Sequence, residues 1–398
     1  TTGFMLMMCV MMPVSPWLLN NISFKYLYLS VLALFGIGTL MIIFAPTFWF
    51  ALLGRLLEAT AVGILFPSFQ TVLMTITPKD KRGQTMGAAG LVMGSALAVG
   101  PIISGIVLNF LRWQALFWLF CFLMLVIFLA ACVTISDVME QKPSQLDVFS
   151  LFYEGAGLGM VLYALTAFKD PAHLLSSVLL LLLGLGLLIA FCQRQLKLAT
   201  PLLELRIVKY LAFDIGLLLT GLSYMSLIVV TIVFPLYYQK ILGLSPLASG
   251  LSLVLPAVLL SVLNPITGKL ADKWGFKPVL LVGVSMLLSG WAGLLLWQDH
   301  LGLPLLIAFS MVIEGGNAFV MMPATTLGAN SVPKNLIAHA TALTTTIRQL
   351  LGSLGVMGAT LLLSSAGQSI TQKSSYSRVF ICFLLIEAIA LVLALRLK

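Results

Sequence analysis

Ionisable side chains lie inside long apolar stretches of this 398-residue chain, where burying a charge is unfavourable. Arg55 and Glu58 are one helical turn apart on the same face, which predicts an ion pair. Glu314 has Asn317 one turn away and no comparable basic partner in its own stretch. Because a desolvated carboxyl group favours its protonated form, Glu314 is the stronger candidate to bind and release a proton, or to meet a cationic ligand.

The stretches that carry these residues are predicted to be membrane-spanning helices. Hydrophobic residues make up 60% of the chain, charged residues only 9%, and the mean hydropathy is +1.10. A soluble globular protein carries roughly 25% charged residues, and a helix needs about 20 apolar residues to cross a bilayer core. We therefore predict about thirteen spans, near residues 1–17, 27–45, 48–77, 83–109, 113–135, 148–168, 173–193, 209–238, 246–267, 278–297, 301–325, 336–365 and 378–396.

The formal net charge of +9 does not indicate a nucleic-acid partner, because the basic residues are scattered singly rather than in runs. The five cysteines lie in or beside apolar stretches without paired spacing, which favours packing roles and indicates no disulfide, metal site or cofactor. An enzyme or a membrane sensor would need a cluster of His, Asp and Ser residues or an attached soluble domain. Neither is visible in the sequence, so we do not expect an enzyme.

Basic residues also predict how the chain is oriented in the membrane. If the first span runs inward, fifteen of the 22 lysines and arginines fall in cytoplasmic segments and five in exterior segments. The chain starts inside an apolar stretch without an initiator Met, so we expect a truncated protein whose first helix precedes Thr1. The composition and this asymmetry predict a multi-pass protein of the cell membrane.

An internal repeat relates the two halves of the chain. The segment WLLNNISFKYLYL from Trp17 aligns with KLADKWGFKPVLL from Lys269 at an offset of 252 residues. Glu58 and Glu314 each precede a proline by nine residues. Two repeated helical halves are typical of transporters, whose substrate site lies between the halves near the middle of the membrane.

The second copy of the repeat, GKLADKWGFKP, lies in the predicted cytoplasmic connection after the ninth visible span. Asp272 is expected to cap the following turn or to pair with a nearby lysine. With Gly268, Gly275 and Lys277, it resembles the signature loop of the major facilitator superfamily, which implies a latch that stabilises one access state. The alternative is a simple turn with cytoplasmic charge, and the first copy has lost its acid at Asn20.

The segment GRLLEATAVGILFPSFQ around Arg55 resembles the buried-arginine motif of the same superfamily, where Gln usually stands at the position of Glu58. The resemblance implies that Arg55 assists proton coupling. The alternative for each carboxylate is a fixed structural pair, of Glu58 with Arg55 and of Glu314 with Arg348.

Small residues recur in GAAGLVMGSALAVGPIISG, which favours tight helix packing and a bend at the proline. Its Gly87, Gly100, Pro101 and Gly105 resemble the antiporter motif of drug-exporting facilitators. The alternative is the tight packing found in any helical membrane protein.

The segments FPLYYQKILGLSPLASGLSLVLP and AHATALTTTIRQLLGSLGV resemble those of fourteen-helix drug:proton antiporters. The resemblance implies the major facilitator fold, with two six-helix bundles and two extra central helices, of which about thirteen of fourteen spans are visible. The expected domains are an N-terminal bundle over 1–135 without its first helix, a central linker with the two extra helices over 136–208, and a C-terminal bundle over 209–398.

The same resemblance implies proton-coupled export of amphipathic, often cationic compounds across a bacterial cytoplasmic membrane by a monomer. The expected partners are small substrates, protons and the lipid bilayer. The residues expected to couple protons or to line the substrate cavity also include Arg348, Asn317 and Tyr237, in addition to Glu314, Glu58 and Arg55. Rivals of the same fold are transporters of nutrients and transporters of lipids or cell-wall precursors. The roles of three further acidic residues stay open: Glu154, Asp214 and Glu387.

Overall fold

The computed structural model describes residues 2–139, 141–167, 174–364 and 373–397, with side chains at all of these positions except 2, 101, 108–109, 165–166 and 364. Helices and short connections account for this part of the chain, in which no strand occurs. The helices are α1 (Thr2–Met11), α2 (Ser15–Asn21), α3 (Phe24–Ile43), α4 (Phe48–Ile76), α5 (Arg82–Phe110), α6 (Gln114–Thr134), α7 (Val148–Ala167), α8 (Leu174–Lys197), α9 (Leu211–Lys240), α10 (Pro246–Ser252), α11 (Val254–Trp274), α12 (Phe276–Leu296), α13 (Leu303–Asn330), α14 (Ile337–Ser364) and α15 (Lys373–Leu395). The predicted all-helical membrane fold is confirmed.

Eleven helices in the described residues are long and apolar enough to cross a bilayer, or twelve if the bent pair α1–α2 is one span. The pair bends by 47° at Pro13, which has no backbone N–H to continue the helical hydrogen bonds. Helix α7 is apolar over a shorter stretch, Val148–Ala164. Each of the thirteen predicted stretches therefore corresponds to an apolar helix or to a broken pair of helices.

Packing between helices divides the chain into two compact units. Unit 1 comprises Thr1–Ile76, Val107–Lys209 and Pro333–Thr346, and unit 2 comprises Thr77–Ile106, Tyr210–Val332 and Ile347–Lys398. Helix α5 thus belongs to unit 2 as far as Ile106, and α14 contributes its first part to unit 1 and the rest to unit 2. The domain boundaries predicted from the sequence remain a prediction.

In unit 1, α4 packs against α1 and α3, while α6 packs against α3. Helices α7 and α8 form an antiparallel pair, and α7 also packs against α1. These contacts bury small and branched side chains, including Ala61, Ile64 and Val31. The packing brings the first half of α4, which carries Glu58, beside the last part of α3.

In unit 2, α13 is central and packs against α9, α11 and α12, and α15 packs against α9 and α12. The core includes a cluster of aromatic rings from three helices, with Trp291 between Phe234 of α9 and the phenylalanines of α15. Because α13 has neighbours on several sides, most of its middle section is buried. Glu314 lies in that section.

The structure corrects one local prediction. The segment from Gly268 to Trp274, expected in a connecting loop, continues α11, and α12 begins at Phe276. The run Lys-Leu-Ala-Asp-Lys consists mostly of residues that favour helices, so α11 continues until Gly275. There the backbone adopts a φ of 86°, which glycine tolerates and which ends the helix.

Candidate functional site

Glu314 is buried in α13, with only 5% of its surface exposed. Glu314 lines a small cavity of about 40 Å³, to which α5, α9 and α11 contribute mostly apolar side chains such as Leu97, Val230 and Pro256. A cavity holds a water molecule when its volume exceeds roughly 10–15 Å³. Glu314 therefore lines a largely apolar space that has room for water.

A short chain of hydrogen bonds ties Glu314 to α9. The Asn317 side-chain amide donates to Glu314 Oε2 at 3.3 Å, and the Ser223 hydroxyl donates to Asn317 Oδ1 at 2.6 Å. The Asn317 neighbour predicted from the sequence is therefore a direct partner of the carboxyl group.

Glu58 in unit 1 has stronger partners. Arg55 Nη1 donates to Glu58 Oε2 at 2.7 Å, so the ion pair predicted from the three-residue spacing is confirmed. The Thr39 hydroxyl donates to Glu58 Oε1 at 2.8 Å. Arg55 also lies over the ring of Phe4, at 4.6 Å from its centre. Both oxygens of Glu58 are thus satisfied, one by a cation and one by a hydroxyl group.

Two glycines allow α3 to come close enough for this contact. A Cβ atom at Gly54 would lie 2.6 Å from the Gly38 carbonyl oxygen, and one at Gly38 would lie 2.7 Å from the Gly54 carbonyl oxygen. Any side chain at either position would force the helices apart. The close approach of two backbones thus places the Thr39 hydroxyl beside Glu58.

Arg348 and Tyr237 lie away from the Glu314 cavity lining. The guanidinium group of Arg348 lies 5.2 Å from the centre of the Tyr224 ring, and the Tyr224 hydroxyl donates to the Gln349 side chain at 3.3 Å. Tyr237 is buried with its ring against Tyr376, the ring centres being 4.8 Å apart. A cavity role for either residue remains a prediction.

Asp272 takes a role that sequence reasoning placed elsewhere. Its carboxylate accepts hydrogen bonds from the backbone N–H groups of Gly83, at 2.9 Å, and Gln84, at 2.7 Å, rather than from the following turn or from a lysine of the described residues. These donors belong to the first turn of α5, where free N–H groups and the helix dipole favour a negative charge. Asp272 of α11 therefore caps a helix 189 residues earlier in the chain.

Close packing supports this cap. A Cβ atom at Gly268 would collide with the Gly83 carbonyl, and one at Gly87 would collide with the Asn264 carbonyl. Of the predicted antiporter-motif residues, Gly87 is therefore essential to the approach of α5 to α11. Lys277 lies in the first turn of α12, beyond this contact.

The other motif positions in α5 differ from the expected tight packing. Gly100 has no atom within 4 Å of its missing Cβ, and Gly105 has Leu247 at 3.3 Å, a tight contact with a side chain only. The side chain of Pro101 lies outside the described residues. The close-packing positions are instead Gly83, Gly87, Gly90 and Gly94, in the first half of the helix.

A partly buried charge pair lies at one end of the α7–α8 pair, between Asp147 just before α7 and Arg194 in the last turn of α8. The Arg194 guanidinium donates two hydrogen bonds to Asp147, at 2.7 and 2.9 Å, and the Ser150 hydroxyl donates a third at 2.6 Å. The hydrogen bond from Arg194 is the main reason why the pKa of Asp147 is lowered from its usual value. The pair ties the two ends of this helix pair together.

Sequence reasoning missed Thr39, Ser223 and Gly83. The available signal for the first two was a hydroxyl side chain within an apolar helical stretch, but the sequence does not say which of the several hydroxyl residues in α3 and α9 meets a buried carboxyl or amide group. Gly83 carried no signal, because its role depends on Asp272 in a distant helix.

A family model described as Major Facilitator Superfamily matches residues 1–356 of the chain. The chain is 33% identical over 356 residues to the uncharacterized MFS-type transporter YcnB of Bacillus subtilis (strain 168), covering 89% of this chain and 75% of that protein. It is 31% identical over 372 residues to the lincomycin resistance protein LmrB of Listeria monocytogenes, covering 92% and 78%. The solved structure of the human organic anion transporter MFSD10 matches with a TM-score of 0.68 at 14% identity, covering 97% of this chain and 82% of that one. This last similarity concerns the fold alone.

Proposed function

The chain belongs to the Major Facilitator Superfamily and is a multi-pass membrane protein, and we propose that it exports amphipathic, often cationic compounds in exchange for protons. The similarity to a lincomycin resistance protein supports the export of a toxic compound. The bacterial sources of these relatives support a place in the bacterial cytoplasmic membrane. The α7–α8 pair between the two repeated halves supports the fourteen-helix branch, in which we propose that the protein acts as a monomer.

One observation carries the proposal of proton coupling: Glu314 is buried, the partner of its carboxyl group is an amide, and the residue lines a cavity large enough for water. An ionised carboxylate in an apolar interior needs a cation, donors or water, whereas the neutral acid does not. Glu314 is therefore the group whose charge can change between states. An intramembrane carboxyl group of this kind is a functional candidate by default.

The proposed cycle alternates two occupants of the carboxyl group. With a proton bound, Glu314 is neutral, so the helices around it can pack together without burying an unpaired charge. Release of the proton toward the cytoplasm leaves a negative charge that attracts a cationic substrate. A proton that arrives from outside displaces the substrate outward, so proton entry drives export.

We propose that the Asp272 contact stabilises one conformation of this cycle. The carboxylate accepts two charge-assisted hydrogen bonds from the start of α5, and such bonds are among the strong ones in proteins. Opening α5 away from α11 breaks both bonds. The contact therefore shifts the balance between states and is separate from the coupling site.

The proposal is tested with Glu314→Gln and the matched variant Glu58→Gln in the full-length protein in liposomes. The probes are lincomycin and ethidium, whose movement is driven by an imposed pH gradient. We expect Glu314→Gln to abolish gradient-driven movement, because an amide cannot exchange a proton. Glu58→Gln is expected to retain a reduced but pH-dependent activity, since Arg55 and Thr39 hold that site in one charge state.

Gradient-driven movement of either probe by Glu314→Gln at the wild-type rate would overturn the assignment of the coupling proton. A wild-type protein that moves neither probe under any gradient would overturn drug export. Binding of ethidium across pH, measured by fluorescence in both variants, separates a lost coupling step from a lost substrate site.

A further inference from the structure

Glu387 is a second buried carboxyl group in unit 2 and lies well inside α15. None of its surface is exposed, and neither oxygen has a hydrogen-bond partner by distance and angle. Burying an unpaired ionised carboxylate is strongly unfavourable. The sequence offers no explanation for this residue, since α15 is otherwise apolar around it.

Aromatic side chains pack on the face of α15 that carries Glu387. Phe380, Phe383 and Glu387 share one face of α15, and both phenylalanines pack on Trp291 of α12, with ring centres 6.2 and 4.8 Å apart. The Trp291 indole N–H donates to the Ser226 hydroxyl oxygen of α9 at 2.8 Å. The Ser226 hydroxyl lies next to the Glu387 carboxyl group.

The buried carboxyl group of Glu387 is not compensated by a charged neighbour among the described residues. In the described part of the chain, no ionisable group of the elements packed on α15 lies within hydrogen-bonding or ion-pairing distance of its oxygens. Those elements are α9, α12 and the turn at Gln298–His300. Their ionisable groups and those of α15 itself are Asp214, Tyr224, Tyr237, Tyr238, Lys240, Lys277, Asp299, His300, Lys373, Tyr376, Arg378 and Cys382.

A line of buried polar groups leads from Glu387 back to Glu314. Ser226 and Ser223 lie one helical turn apart on α9, and both are buried. Ser223 donates to Asn317, which donates to Glu314. Residues three apart on a helix have Cβ atoms roughly 5–6 Å from each other, so α9 connects the two carboxyl groups through its own polar side.

We propose that Glu387 is a second proton-binding group of unit 2, connected to the Glu314 site through the serines of α9. Its ligand is a proton: the closed aromatic pocket holds the neutral acid, and ionisation requires that water enter between α9, α12 and α15. The inference rests on the proposed proton coupling and adds a second proton to the same cycle.

The experiment compares Glu387→Gln with Glu314→Gln in the full-length protein. A matched control is Glu154→Gln, since Glu154 of α7 is also buried and has an oxygen without a partner. The first measurement is the infrared carbonyl band of protonated carboxyl groups in lipid nanodiscs, titrated with pH without substrate. The second is the number of protons moved per ethidium molecule in liposomes.

We expect Glu387→Gln to remove one titrating carboxyl band and to lower the proton-to-ethidium ratio by one, while gradient-driven export continues. Glu154→Gln should leave the ratio unchanged. Ser226→Ala keeps the carboxyl group and should shift its band, which tests the inference if the Gln variant does not fold.

An unchanged band pattern and ratio in Glu387→Gln, or an unshifted band in Ser226→Ala, would overturn the second proton site. The two proposals fail separately. Wild-type coupling in Glu314→Gln removes the first site, whereas the infrared titration of Glu387 needs neither substrate nor transport.

Discussion

Glu58 and Glu314 stand at equivalent positions of the repeat, yet their surroundings differ. Glu58 meets an arginine from its own helix and a threonine from α3, so its charge is compensated in place. Glu314 meets an amide and a water-sized cavity, so a change in its charge must be met by a proton, a cation or water. Equivalent sequence positions therefore do not imply equivalent roles, because the neighbouring helices decide which partners a buried carboxylate has.

The largest expected effect comes from separating Glu58 from α3. In Gly54→Ala, the new methyl group would lie 2.6 Å from the Gly38 carbonyl oxygen and would push α3 away, so Thr39 no longer reaches Glu58. We expect a loss of roughly 1–3 kcal/mol in unfolding free energy, as for other overpacked cores. Thermal unfolding of the purified full-length protein in detergent measures it.

The matched control is Gly36→Ala on α3, because no atom lies within 4 Å of its missing Cβ. This variant should be neutral or slightly more stable, by up to about 1 kcal/mol from helix propensity. Equal unfolding midpoints for the two variants would show that the α3–α4 approach does not hold the Glu58 site.

The intermediate effect separates the two carboxylates by their hydrogen-bond partners. Asn317→Leu removes the amide from Glu314 and leaves Ser223 without its acceptor, which should lower stability by roughly 1–2 kcal/mol. It should also slow proton-driven export at neutral pH, because the ionised carboxylate loses its donor. Thr39→Val removes one bond from Glu58 but leaves Arg55, so we expect about 1 kcal/mol of lost stability and an unchanged pH profile.

Export rates across pH in liposomes, together with unfolding midpoints, test this pair of variants. A changed pH profile in Thr39→Val, or an unchanged one in Asn317→Leu, would reverse the comparison between the sites.

The smallest effect concerns the partly buried pair of Asp147 and Arg194, which can be compared with the pair of Glu58 and Arg55. Arg194 lowers the pKa of Asp147 in the folded state, so the pair stabilises the protein above the ordinary carboxyl pKa of about 4 and loses this effect as the pH falls through the lowered value. We expect Asp147→Asn to lower the unfolding midpoint slightly at pH 7. The difference from wild type should vanish in strong acid, and a difference that persists there would assign the effect to something other than the charge.

The sequence by itself determined the helical membrane fold, since a chain this apolar can satisfy its backbone hydrogen bonds in a bilayer only within helices or a closed barrel. It also determined the pair of Arg55 and Glu58, because a spacing of three residues on one helix needs no other element. That Glu314 lacks a basic partner within its own helix was predictable for the same reason, because α13 contains no cationic residue.

Only the tertiary structure decided the contacts between distant helices. Asp272 bonds to Gly83 and Gln84, although local spacing favoured the next turn or a lysine. Gly87 is a close-packing residue, whereas Gly100 in the same motif faces open space. Each outcome depends on which helix lies opposite. Helix pairing is set by the fit between whole helix surfaces, so a single short motif does not predict it.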